Sequence, residues 1–596
     1  MVYPSDYENK TGFDRIRAQV RGKCTTDGGR ALLDGEGFSA SAGEIAHRLS
    51  LCSELQEILM LESGFPLQEY TDIGPVARKI EVACTFLDIE DMIALRAGLG
   101  AVNEITVFLA AKEEGRYPVL RGLAQGVESF PEITGHIDTI LDRYGKIKDS
   151  ASPELYTIRR TIRDREGQVS KRLQAILSKA QKDGYADADA AVSIRDGRAV
   201  IPVSAANKRK INGFIHDESA TGKTFYIEPV EIVEINNELK ELEYAERREV
   251  VRILTAFTDR IRPDAPGIAR AGEYLACMDM IRAKARWAAE NECVKPVLSE
   301  EGTLWLRSAR HPLLRQTLAR EGKQVVPLDL KLDRGRRMLV ISGPNAGGKS
   351  VCLKTVGLLQ YMFQCGFPVP VLENSEFPVF DGIFIDIGDE QSIDNDLSTY
   401  SSHLLNMKHM LAGAGSGSLV LIDEFGSGTE PVIGGAIAEA ILERFVETGT
   451  YGVITTHYSN IKYFAGSHEG VENGAMMFDV QNIRPLFRLQ MGEPGSSFAV
   501  EIARKIGLPA QIIDAASRKA GSDHINLETL PATGATGNRN ATGYASRTER
   551  WRNWNRPMHV SLPISSRSGT VSCMKPGRRP VPSLPRPTSR LRILSV

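Results

Sequence analysis

The sequence runs to 596 residues, 42% hydrophobic and 25% charged, with a formal net charge of −2; that length points to about three to five domains, each able to bury a core. No run of about 18 apolar residues appears, and Met1 to Lys23 is polar and mixed in charge, which excludes a signal peptide and a membrane partner and predicts a cytoplasmic protein. The cysteines (Cys24, Cys52, Cys84, Cys277, Cys293, Cys352, Cys365 and Cys573) lie far apart, which argues against a disulfide framework or a zinc site. The small net charge conceals an asymmetry, because from Leu527 onward twelve Arg or Lys face only Glu528 and Glu549. Everything before that point is net acidic.

Residues 5–147 carry apolar side chains at helical spacing, from Ile45 and Leu49 through Leu59 and again at Phe86, Ile89, Met92, Ile93 and Leu99. The spacing predicts an all-helical core and lever region over 1–150. Ser152-Pro153-Glu154 supplies a cap and a first-turn proline, and Leu155, Ile158, Ile162, Val169, Leu173, Ile176 and Ala180 then continue one apolar stripe. So long a stripe reads as half of an antiparallel coiled arm. Strand patterns follow at Ala191–Ile194, Ala199–Val203, Gly213–Ile215 and Thr224–Ile227, with turns at Asp196-Gly197 and Thr221-Gly222. Residues 151–230 therefore read as an arm with a small β tip. Helices from Val230 to about Arg262 and from Ala271 to Ala289 bring the chain back as levers over 231–300. Arg195, Arg198, Lys208, Arg209, Lys210 and Lys223 gather with His216 around the turns of the tip, a pattern that suits a nucleic-acid backbone and an ordinary solvated loop equally well. With no base-reading motif nearby, any such contact is expected to be with backbone and shape.

The strongest chemical signal is Gly343-Pro344-Asn345-Ala346-Gly347-Gly348-Lys349-Ser350, set between the apolar strand Met338–Ile341 and a helical pattern from Val351 to Gln364. Glycines let the backbone curl so that successive N–H groups point at one anion, and the helix N-terminus adds partial positive charge. Lys349 then reaches the outer phosphates and Ser350 ligates Mg²⁺, so ATP and Mg²⁺ are the expected cofactors. Ser418–Ile422 reads as a buried strand that delivers two adjacent carboxylates to its end. Asp423 is assigned to the metal and Glu424 to the general base that polarises the attacking water. Ile383–Ile387 runs into a polar loop where Asp389 or Gln391 either senses metal or water or belongs to an ordinary acidic turn. His457 lies just past another apolar strand, and by itself reads as a structural histidine.

These motifs, together with Asp396-Leu397-Ser398-Thr399-Tyr400-Ser401-Ser402-His403, Asp423-Glu424-Phe425-Gly426-Ser427-Gly428-Thr429-Glu430-Pro431 and Thr455-Thr456-His457-Tyr458, resemble the MutS family of ABC-type ATPases over about residues 1–526. Arg195–Val203 and Asp217–Pro229 look like the clamp of its second bacterial branch, which is tied to suppressing homologous recombination and, in some members, to rescuing stalled or collided ribosomes. The resemblance implies a multidomain fold of all-α core and lever helices, a coiled clamp arm tipped by small β-strands, an α/β ABC-type P-loop ATPase domain over 301–494 and a helix-turn-helix dimerisation element over 495–526. It implies a homodimer with each ATP held between one subunit's phosphate loop and its partner's signature segment, completed by Ser398 and Thr399. It also makes His457 a γ-phosphate sensor, catalytic beside Glu424 and Lys349.

The implied function is an ATP-dependent clamp on branched or distorted DNA, acting in repair or in suppression of recombination. The alternatives are a ribosome-rescue ATPase that grips RNA or ribosomal protein, and an interaction protein that binds ATP without turnover. Phe130-Pro131-Glu132, the string nearest to the family's mismatch wedge, reads as a helix start, so distorted DNA is expected to be gripped by shape. From the residues alone, Gly495–Ala516 reads either as a helix-turn-helix or as a plain domain end. After Asn526 the resemblance stops. Members of the branch usually continue into a small Smr domain linked to nuclease or ribosome-related activity; residues 527–596 are instead Arg-, Pro- and Ser-rich without an apolar period and are predicted to be disordered. The expectation is a chain that stops short of that domain and shows no nuclease residues, and eleven arginines to one lysine are what a shifted reading frame would give.

Overall fold

The computed structural model describes residues 1–520 apart from 67–68, 196, 345–346, 389–398, 480, 483 and 497, all within Met1–Thr529, the first of the chain's two units. The tail over 527–596 lies outside the described residues. The largest sheet has seven strands in the order Val2–Tyr3, Gly382–Asp386, Ser418–Ile422, Tyr451–Thr455, Arg336–Ser342, Gly470–Asp479 and Arg484–Met491. All neighbours run parallel except the last pair. Unbroken apolar runs such as Ser418–Ile422 belong in a sheet covered on both faces, and alternate side chains do go to opposite layers. Leu339, Ile341, Leu419 and Leu421 pack with Leu353 and Val356 of the helix Lys349–Gln364. Met338, Val340, Val420 and Ile422 pack on the other face with Met407 and Met410 of Thr399–Gly413, Leu442 of Pro431–Glu447 and Phe464 of Ser459–Ser467.

The reading of residues 1–150 as all-helical is corrected at its start. Val2 and Tyr3 form an edge strand, paired in parallel with Ile383 and Phe384. Two residues carry no periodicity, so this pairing has no local signature. The helices Tyr7–Thr11 and Phe13–Arg21 then lie against the helix that follows the glycine loop. Tyr7 Oη donates to Gly357 O at 2.9 Å, Tyr361 Oη donates to Glu8 at 2.8 Å, and the Phe13 ring meets Tyr361 edge-on. The N-terminus is thus part of the wall of the α/β layer.

Around it, helices pack on Ala265–Glu290, whose many alanines and glycines let neighbours approach on nearly every side. Ile89–Ala110 is long and apolar enough to cross a membrane by length and composition, but Leu95, Leu99, Val102 and Ile105 are buried in this helical core. The arm helix Pro153–Lys182 is capped by Ser152 Oγ, which accepts from Leu155 N at 3.0 Å. It runs antiparallel to Val230–Ile261, as the ion pairs Arg159–Glu246 at 2.7 Å and Arg165–Glu238 at 3.1 Å show by their opposed numbering. The antiparallel tip sheet has the order Ser193–Arg195, Arg198–Ser204, Thr224–Pro229, Gly213–Glu218. Its Ile201, Val203 and Ile227 close onto Leu173, Leu177, Ile232 and Ile235 of the arm. Near the end of the described chain, Ala499–Ile506 and Ala510–Ala520 are helices joined through Gly507, which takes a φ of 88°.

Candidate active site

The glycine loop leaves the carboxyl end of Arg336–Ser342. Gly343 has a φ of 136° and Gly348 a φ of 94°, a region that side chains on Cβ disfavour. Space is short as well as conformation unusual: a Cβ on Gly343 would lie 3.1 Å from Met476 Cβ, and one on Gly347 3.2 Å from the same atom. The loop therefore rests directly on the strand Gly470–Asp479. Gly495 adds a brace that sequence reasoning missed, since its N–H donates to Ser342 Oγ at 2.7 Å and a Cβ there would sit 2.6 Å from Ser342 O. Asn345 and Ala346 lie outside the described residues.

Lys349, buried at the start of the helix, donates from Nζ to Gly343 O at 2.8 Å and to Pro344 O at 3.2 Å, and lies 3.4 Å from His457 Nε2. Burial pushes its pKa down to about 8, although Asp423 and Glu424 pull it the other way. Ser350 is exposed in the same first turn. Asp423 and Glu424 follow their strand as expected, and one hydroxyl orders both. Thr455 Oγ1 donates to Asp423 Oδ1 at 2.5 Å and accepts from Glu424 N at 2.8 Å. Glu424 itself is exposed and takes a left-handed φ of 49°, a conformation that costs a non-glycine residue roughly 1–2 kcal/mol. For His457, partial burial and the nearby Lys349 and Lys462 ammonium groups hold the pKa below its ordinary value. The structure thus brings Gly343, Pro344, Gly347, Gly348, Lys349, Ser350, Asp423, Glu424 and His457 to the carboxyl ends of three adjacent parallel strands, where open α/β sheets bind ligands.

Asp389, Gln391 and Ser398 lie outside the described residues, and Thr399 opens the helix Thr399–Gly413. Sequence reasoning also missed Asp386, whose carboxylate meets His403 Nδ1 at 2.7 Å and Asn406 Nδ2 at 2.9 Å. No local pattern marks a carboxylate whose partners stand on a helix 17 and 20 residues farther along the chain.

At the arm's tip the cations divide into two groups. Arg198 donates to both oxygens of the buried Glu228, at 2.8 and 3.0 Å, and to Asn237 Oδ1 at 2.7 Å. Asn236 and His216 bond the same carboxylate. Burial raises the Glu228 pKa, but these hydrogen bonds outweigh it and hold the group below the usual carboxylate range. The Arg198 charge is therefore balanced inside the fold, a partner the sequence did not reveal. Arg195 pairs with Asp217 at 3.0 Å and lies 4.2 Å over the Tyr226 ring, while Lys208 lies 4.3 Å over Phe225. Arg209, Lys210 and Lys223 are exposed on the turns.

The MutS domain V model matches residues 339–522, the stretch that carries Lys349, Asp423, Glu424 and His457. The chain is similar to endonuclease MutS2 of Alkaliphilus metalliredigens (strain QYMF), 38% identical over 519 residues that cover 87% of this chain and 64% of that protein. Endonuclease MutS2 of Pelotomaculum thermopropionicum is 39% identical over 478 residues, covering 80% and 60%. The protein of the same name from Thermomicrobium roseum is 37% identical over 532 residues, covering 87% and 66%. The chain spans just under two thirds of the length of these relatives. A shared domain and agreement along most of the chain place it plainly: it belongs to the MutS family, in the branch of the endonuclease MutS2 proteins.

Proposed function

We propose that this chain is a cytoplasmic, Mg²⁺-dependent ATPase that works as a homodimeric clamp on branched or distorted DNA, in repair or in suppression of recombination. The observation that carries the reading is the convergence of buried Lys349 with Asp423, Glu424 and His457 around a glycine loop at the ends of adjacent parallel strands. The donor set fits: Ser350 and Asp423 offer few oxygens, which suits an ion that keeps its waters and phosphate ligands. Held there, Mg²⁺ would supply charge neutralisation for the phosphoryl group being transferred.

Lys349 exchanges the Gly343 and Pro344 carbonyls for phosphate oxygens, and a bound anion restores its pKa upward. Glu424, its backbone amide held by Thr455, accepts the proton of the attacking water. His457 reads the outer phosphate beside Lys349. Ser398 and Thr399 complete the partner's site, so a lone subunit hydrolyses poorly. At the tip, Arg195, Lys208, Arg209, Lys210 and Lys223 face the nucleic-acid backbone, with Arg198 bracing the sheet beneath them. The endonuclease activity in the relatives' names is not assigned to this chain.

The test is steady-state ATP hydrolysis by wild type and Glu424→Gln, with nucleotide binding measured separately. Turnover is expected to fall by a factor on the order of 10² or more while binding persists; equal rates would remove the assignment. Stimulation of hydrolysis by four-way DNA junctions supports the DNA reading, and stimulation by collided ribosomes alone would replace it.

A further inference from the structure

Asp386, at the end of the strand Gly382–Asp386, is 2% exposed and makes bonds in two directions. Its carbonyl oxygen accepts from Asp423 N at 2.9 Å, so its main chain fixes the strand end that carries Asp423 and Glu424. Its carboxylate meets the helix Thr399–Gly413 twice, at His403 Nδ1 (2.7 Å) and Asn406 Nδ2 (2.9 Å). Asn406 is buried too, and its remaining amide oxygen accepts from Tyr3 Oη at 2.7 Å. Tyr3 lies on the N-terminal edge strand, which pairs with the strand of Asp386 itself. The result is a closed circuit: strand to helix through the carboxylate, helix to edge strand through Tyr3, edge strand back to the first strand through the ladder.

The space beside this circuit explains why it is needed. A cavity of about 20 Å³, room for one water, separates the catalytic strand end from the helix, with Asp423 and Glu424 on one wall and Tyr400 and His403 on the other. Tyr400 Oη is buried there without a hydrogen-bond partner among the described residues. Farther along, Met407 and Met410 pack the helix onto the sheet, but apolar contact is non-directional and does not set a register. A buried carboxylate bonded to two donors does, because leaving either donor unmade is costly.

We propose that Asp386, acting through His403 and Asn406, is a positioning residue for ATP hydrolysis. It locks the start of the helix Thr399–Gly413 against the Asp423–Glu424 strand end, so that the two walls of the site keep one spacing. The proposal rests on the ATPase reading above and adds to it Asp386, which lies outside the phosphate loop and the Asp423–Glu424 strand end. Among the described residues its bonds run to His403, Asn406 and Asp423 N, none of them in the glycine loop, so its loss is expected to act on turnover more than on nucleotide binding.

The experiment uses the full chain with His403→Ala, His403→Asn and Glu424→Gln beside wild type. Asparagine keeps an N–H donor near the position of His403 Nδ1, whereas alanine has none. Expected for His403→Ala are a kcat lower by about 10-fold or more, a KM for ATP within about threefold of wild type, and faster hydrogen exchange in 399–413 but not in 349–364. His403→Asn should recover most of the lost kcat and the exchange protection. Wild-type kcat and exchange in the alanine variant would overturn the proposal, as would an asparagine variant as slow as the alanine one. Should the wild type itself show no hydrolysis above background, the ATPase reading fails; a dead Glu424→Gln beside a normal His403→Ala removes only the positioning role.

Discussion

At the arm's tip, Glu228 is buried and meets Asn236, Arg198 and His216, whereas at the end of the main sheet Glu424 stands exposed on a left-handed backbone. Both are glutamates at the ends of strands. In the first the fold surrounds the carboxylate with donors; in the second it holds the backbone through Thr455 and leaves the side chain outward. By sequence the cations around the turns suited a nucleic-acid backbone and a solvated loop equally, and in the structure Arg198 is bound to the tip's own Glu228. Function is read more safely from groups that the fold positions without enclosing.

Four measurements would break or sharpen this contrast. The largest effect is expected from Leu173→Ala, which removes a fully buried side chain from the small core under the tip and costs about 3 kcal/mol; hydrogen exchange should localise the loss to the arm while ATP hydrolysis without nucleic acid is unchanged. Lys349→Ala removes a buried cation from the phosphate loop, and ATP affinity measured by calorimetry should fall on the order of a hundredfold, or about 2.7 kcal/mol.

Glu228→Gln should loosen the tip by about 2 kcal/mol, because Arg198 and His216 lose a charged acceptor. Its acid response carries a sign. The folded state holds this carboxylate below its ordinary pKa, so its stabilisation is complete above the usual carboxylate range and is lost as pH falls through the folded-state value. Acid should speed exchange in the tip of wild type, with that component absent from Glu228→Gln. The smallest effect on stability is expected from Lys210→Ala, within about 0.5 kcal/mol; if the exposed turn meets a nucleic-acid backbone, the salt dependence of binding should drop by a slope of about one. An unchanged slope would return Lys210 to the solvated-loop reading.

The glycine loop, the Asp423–Glu424 strand end and the arm were legible because their signals are local. In the loop an apolar run and the glycines at its special φ values lie within a dozen residues of one another, and the arm's stripe repeats along thirty residues from Pro153 to Lys182. What escaped reading joins positions far apart in the chain. Val2 and Tyr3 pair with residues some 380 positions away, Gly495 braces Ser342 across 153, and Arg198 finds Glu228 thirty residues on. Asp386 escaped for a related reason. A lone aspartate after an apolar strand reads as a solvated end, and only the packed helix shows that its carboxylate is buried and doubly bonded.

The φ of 49° at Glu424 carries a consequence for how this protein trades folding against work. A glycine there would release roughly 1–2 kcal/mol of backbone strain against about 0.5–1 kcal/mol of extra chain freedom in the unfolded state, so Glu424→Gly should be no less robust to heat than wild type while losing the proposed general base. The site holds a residue that thermal selection alone would replace, and the protein tolerates a small standing tension at the position proposed to carry the general base.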